Sequence, residues 1–191
     1  KDYEGVLKLL DQGADVEERD TNGVTPLHNA VCIQSNKMVQ LLLKRGANVN
    51  TISRLGYTPL HNIGNTKMLK LLIDHGANIE ALTSEGATTL HLAVVWDDNN
   101  KQVRTLLEHG ASVHIKDNNG DTPLHWGVRP NNTNIEVIQM LLDYGADIYC
   151  QNSNGKTPLD LCTRNDKREI LKAHARRMSL TEHLCAALLT Q

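Results

Sequence analysis

GVTPLHNAVCIQSNKMVQLLLKRGANVN, residues 23–50, specifies two short helices and the turns that bound them. Thr25 is placed to cap a helix, Pro26 occupies its first turn, where a missing N–H does no harm, and Leu27 begins the buried stripe. A second helix follows. Met38, Val39, Leu41, Leu42 and Leu43 give it a wide apolar face, and Gly46 is positioned to take the left-handed conformation that ends it. The polar residues Asn48, Asn50 and Ser53 then lead to the next glycine turn.

The same grammar recurs along the chain. The first box reads GVTPLH at Gly23, GYTPLH at Gly56, GATTLH at Gly86, GDTPLH at Gly120 and GKTPLD at Gly155. A second box closes each unit: LLDQGA at Gly13, LLKRGA at Gly46, LIDHGA at Gly76, LLEHGA at Gly110 and LLDYGA at Gly145. A chain that stacks one supersecondary unit many times offers a long, side-chain-variable surface, so binding is the first functional expectation.

Composition narrows the field. The chain has 191 residues, 40% hydrophobic and 22% charged, which is enough to bury a substantial core. It has no Phe, so that core must be built from Leu, Ile, Val and Ala in thin helical layers. A formal net charge of −2 gives no electrostatic case for nucleic acid. Lys167, Arg168, Lys172, Arg176 and Arg177 form one basic cluster, expected to be a solvated face of a terminal cap. The cysteines Cys32, Cys150, Cys162 and Cys185 have no CxxC spacing and read as reduced thiols of a cytoplasmic or nuclear protein. No membrane span is expected.

The two boxes and the period near 33 resemble the ankyrin repeat. The resemblance covers residues 1–178 and implies an all-α solenoid of stacked helix-turn-helix units with short hairpin-like turns, curved and right-handed. The expected organisation is an N-terminal half-repeat over 1–18, repeats over 19–51, 52–81, 82–115 and 116–150, and a capping repeat over 151–178. Residues 179–191 form a separate amphipathic helix in this reading, started by a Ser179/Glu182 capping box. The resemblance further implies that Thr25/His28, Thr58/His61, Thr88/His91 and Thr122/His125 hydrogen-bond within and between repeats, rather than serving as metal ligands.

Irregularities carry their own expectations. Gly23 to Gly56, Gly56 to Gly86, Gly86 to Gly120 and Gly120 to Gly155 span 33, 30, 34 and 35 residues. The 52–81 repeat therefore loses about one helical turn near Asn62 to Asn65, and the next two gain residues at Asp97 to Asn100 and Pro130 to Thr133. Gly64 and Thr89 replace the expected Ala and Pro and should each weaken their helix by up to about 1 kcal/mol. Residues 3–12 read as a second helix whose first helix is missing. Its uncovered apolar face suggests a piece of a longer protein.

The resemblance implies recognition of another protein, with no catalytic residue, cofactor or metal, along a concave face lined by turn tips and inner helices. Mapped onto this sequence, the tips are Thr21, Asn22, Val24, Arg54, Leu55, Tyr57, Ser84, Glu85, Ala87, Asn118, Asn119, Asp121, Ser153, Asn154 and Lys156. The inner-helix positions are Cys32, Asn65, Trp96, Arg129 and Arg164. Interfaces draw most of their energy from a few Trp, Tyr and Arg anchors, so the selected contact set is Arg54, Leu55, Tyr57, Glu85, Trp96, Asn118, Asp121, Trp126 and Arg129. Trp126 reads equally as a core residue. Asn50 occupies the position that asparaginyl hydroxylases modify in similar repeats. The main expectation is an intracellular scaffold or adaptor. The alternatives are a ubiquitin-ligase substrate receptor recruiting its adaptor through 179–191, an ankyrin effector that a virus or intracellular bacterium directs at its host, and an enzyme whose catalytic domain lies elsewhere.

Overall fold

A computed structural model describes residues 2–62, 64–96, 100–129 and 134–189, with side chains as far as 180. Within these residues ten helices and one 3₁₀ turn follow one another: α1 (Tyr3–Asp11), α2 (Pro26–Cys32), α3 (Asn36–Lys44), the 3₁₀ turn (Pro59–Asn62), α4 (Thr66–Asp74), α5 (Thr89–Trp96), α6 (Lys101–Glu108), α7 (Pro123–Val128), α8 (Ile135–Asp143), α9 (Pro158–Leu161) and α10 (Asn165–Leu189). No strand occurs among the described residues. The chain divides into two compact units, Lys1–Leu92 with Thr105–Ala111, and Ala93–Arg104 with Ser112–Gln191.

In the first unit α2 packs on α3 and on the 3₁₀ turn, and α1 packs on α3. Leu27, Val31, Val39, Leu42, Leu60, Leu69 and Leu72 are fully buried, each contributing roughly 1.5–3 kcal/mol of burial. The helices start where the sequence supplies acceptors. Thr25 and His28 form a reciprocal capping box, Ser35 Oγ accepts from Met38 N at 3.4 Å, and Asn65 Oδ1 accepts from Met68 N at 2.8 Å. α3 ends at Gly46 (φ +87°), whose N–H donates to Leu43 O at 3.1 Å while Ala47 N donates to Leu42 O at 3.0 Å.

The expected shortening of the 52–81 repeat is real. Its first helix is reduced to four residues of 3₁₀ turn, against seven in α2. The two expected insertions fall largely on 97–99 and 130–133, outside the described residues, as does Ile63. Thr89 stands at the first position of α5, and its buried hydroxyl has no hydrogen-bond partner among the described residues. α1 is capped by Asp2, whose carboxylate accepts from Gly5 N at 2.9 Å, and it buries no residue fully.

In the second unit α7 packs on α8 and α9, and α8 packs on α10, around Leu124, Val128, Val137, Ile138, Leu141 and Leu171. Two expectations need correction here. The helix expected to start at Ser179 does not start there, because α10 is continuous over 25 residues and Ser179 lies inside it. Strong helix formers flank the Ser, and a capping residue cannot start a helix whose preceding turn is already helical. Nor is the basic cluster entirely a solvated face. Lys167 is fully buried, with Nζ donating to Gly127 O at 2.9 Å and to Arg129 O at 3.0 Å. It thereby gives a donor to carbonyls at the C-terminal end of α7.

Candidate protein-binding surface

Each turn tip is a small hydrogen-bonded frame that holds its outermost side chains outward. Asp20 Oδ1 accepts from Asn22 N at 2.8 Å and Val24 N at 2.9 Å, and Ser53 Oγ accepts from Tyr57 N at 3.2 Å. Successive tips are tied by main-chain bonds. Arg54 N donates to Asn22 O and Ser84 N to Leu55 O, both at 2.9 Å. Gly56 (φ +74°) makes the second of these approaches possible, since a Cβ there would lie 2.6 Å from Ser84 N.

The recurring Thr and His of the box bond as expected. Thr25 N donates to His28 Nδ1 at 3.2 Å, which leaves Nε2 as the proton-bearing nitrogen, donating to Tyr57 O at 2.9 Å. His61 repeats the arrangement with Thr58 N at 3.0 Å and Ala81 O at 3.1 Å, and His125 with Thr122 N at 3.1 Å and Lys156 O at 3.1 Å. Burial pushes His28 and His61 below the ordinary imidazole value, only partly opposed by their carbonyl partners. Among the described residues no group of three or more His, Cys, Asp or Glu could hold a metal ion, and no helix is long and apolar enough to cross a membrane.

Three box-bearing units that reproduce one Thr–His geometry and one bond to the next turn mark the repeat type. A family model for ankyrin repeats, three copies, matches residues 1–79, 62–117 and 99–173. The chain belongs to the ankyrin-repeat family. A search of curated proteins finds no significant match. As in other ankyrin repeats, the framework here is a protein-binding one, and the variable side chains beside the boxes distinguish this chain.

In the first unit of the ankyrin array Arg54, Leu55 and Tyr57 come together on one groove of about 670 Å³, whose lining also includes Val24, Asn29, Cys32 and Asn62. Leu55 is 64% exposed. Tyr57 is half-buried, its ring edge-on to His61 with centroids 5.6 Å apart. Glu85 is exposed on the following tip. Sequence reasoning missed Asn29 and Asn62. The available signal for Asn62 was the irregular spacing of the 52–81 repeat, at whose 3₁₀ turn it stands.

In the second unit Trp96 is 65% exposed at the end of α5, and Asn118 is exposed on its tip. Trp126 is half-buried. Its Nε1 donates to Asp117 Oδ2 at 3.0 Å, and the Arg129 guanidinium lies 6.0 Å from its ring centroid. Asp121 is not a contact residue: it is 1% exposed, paired with Arg129, and accepts from Asn152 Nδ2 at 2.7 Å. A carboxylate at that tip serves the frame by neutralising Arg129. Ala87, also mapped to a tip, is 1% exposed and packed inward. Asn65 serves as the α4 cap, and Arg164 pairs with Asp166.

Asn50 is exposed but engaged. Its Nδ2 donates to Gly76 O at 3.0 Å and its Oδ1 accepts from Asn78 N at 2.7 Å. Glu17 makes the matching bond in the preceding repeat, accepting from Asn48 N at 2.7 Å. Side chains beyond 180, on which ligase-adaptor recruitment through 179–191 would depend, lie outside the described residues.

Proposed function

We propose that the chain holds a partner protein against the turn tips and first helices of its repeats, as an intracellular scaffold or adaptor. The observation that carries this reading is the groove beside Arg54, Leu55 and Tyr57: Leu55 is a large apolar side chain on a rigid tip, exposed and without a role in the core. The intracellular placement is supported by the thiols, since Cys32, Cys150 and Cys162 are all free and Cys32 is exposed.

The test is comparative capture. Leu55→Ala combined with Trp96→Ala removes two solvent-facing side chains and should leave the helical signal intact and stability within about 0.5 kcal/mol. Proteins crosslinked to the unaltered chain in cell extract, identified by mass spectrometry, should be depleted from the variant's set. Identical capture sets, or a variant that no longer melts cooperatively, would defeat the assignment of these residues to the binding surface.

A further inference from the structure

The 52–81 repeat and its predecessor together line the groove. α2 runs seven residues to Cys32, but the neighbour it packs on is a turn of four. On the last turn of α2 Ala30 and Val31 are buried, while Asn29 and Cys32 face the groove and Ile33 is exposed beyond them. The cavity is of a size ordinarily associated with ligand sites and lies where the repeat with the shortest spacing meets its predecessor.

Its chemistry is selective in three respects. Val24, Leu55 and Tyr57 give it an apolar side, suited to one aliphatic or aromatic side chain. Asn22, Asn29 and Asn62 line it with three carboxamides, none of which makes a side-chain hydrogen bond with another described residue. A carboxamide presents an N–H donor beside a C=O acceptor, the complement of a main-chain amide in an extended strand. Arg54 is the only charged residue in the lining, is exposed, and has no acidic partner among the described residues. Its planar fork favours a carboxylate over other acceptors.

We infer that this groove takes an extended segment of the partner protein in which an apolar side chain lies next to Asp or Glu. The apolar residue seats against Leu55 and Tyr57, the carboxylate meets Arg54, and the carboxamides hold the intervening backbone. The inference rests on the protein-binding reading above and gives that site a ligand class.

Random heptapeptides displayed on phage and selected on the full chain provide the probe, followed by synthetic copies of the enriched sequences. The expected result is enrichment of an apolar residue within two positions of Asp or Glu. A bound peptide should slow iodoacetamide alkylation of Cys32 while leaving Cys150 unaffected, because Cys32 lines the groove. Arg54→Glu, at an exposed position, should retain the wild-type melt, lower affinity at least about tenfold, and prefer the peptide whose acid is replaced by Lys. Peptides without acidic bias, unchanged Cys32 alkylation, or equal binding to Arg54→Glu would overturn the inference. Peptides whose binding depends on Trp96 instead would also overturn it, while leaving the broader reading standing. That broader reading falls separately, through the capture comparison of Leu55→Ala with Trp96→Ala.

Discussion

At the scale of single residues, Thr89 departs from the box without breaking its hydrogen bonds, since Thr88 N still donates to His91 Nδ1 at 3.1 Å. At the equivalent place in the other boxes Pro26, Pro59, Pro123 and Pro158 begin their helical segments with no donor to satisfy. Thr89 brings a hydroxyl into a site that is 1% exposed and gives it nothing to bond among the described residues. Thr89→Pro removes the orphan group and restricts the unfolded chain, so it should stabilise by about 1 kcal/mol. In a differential scan this appears as a rise of about 2–4 °C in Tm for a domain of this size. An unchanged or lowered Tm would mean that the Thr89 N–H or the local backbone has a use that Pro cannot meet.

At the scale of elements, α7 and α10 show how a charged residue becomes part of a core. Lys167 reaches the carbonyls of Gly127 and Arg129 from a position fully shielded from water, and burial holds its amine below the usual lysine range. Lys167→Met keeps much of the volume and leaves those carbonyls without their donor. It should cost about 2–3 kcal/mol, measured as a reduced urea midpoint at unchanged m-value. This residue also marks the limit of what sequence could reveal. The boxes, the cap at Thr25, the glycine stop at Gly46 and the shortened 52–81 repeat are local patterns, and local patterns are readable. Lys167 in a basic run looks solvated until α7 is placed over it. Asp121 looks like a tip residue until Asn152, 31 positions away, is found beside it. Ser179 has the letters of a cap, but propagation of the preceding helix overrode them. For the groove, Arg54, Leu55 and Tyr57 were legible from their box positions, whereas Asn29 and Asn62 required knowing which helical side chains face the tips.

At the scale of the whole molecule, the buried histidines couple folding to pH. Burial pushes His28 and His61 below the ordinary 6.5, so in moderately acid solution the unfolded chain takes up protons that the folded chain refuses. More protons on the unfolded side means that unfolding free energy rises with pH across this window. The contribution is complete above about pH 6.5 and declines as pH falls below it. Asp160 and Asp166 are held below the usual carboxylate value, chiefly by hydrogen bonds from Thr157 and Arg164 respectively, so their stabilisation is lost only in more acid solution. Tm should therefore fall between pH 7 and pH 5, and His28→Asn with His61→Asn should flatten that slope while lowering Tm at pH 7. An equal slope in wild type and variant would place the proton uptake elsewhere.

The last box departs from the others in one letter. Asp160 accepts from Thr157 N at 2.9 Å and from the Thr157 hydroxyl at 2.8 Å, reproducing the half of the histidine arrangement internal to its own repeat. It has no counterpart of the imidazole Nε2–H that reaches a carbonyl of the following turn. That carbonyl is main chain, available in every repeat whatever its side chains, so modules joined behind His28, His61 or His125 are interchangeable in principle. Duplication or loss of whole modules is chemically permitted at those junctions. Behind Asp160 that donor is absent, and Asp160→His would restore it.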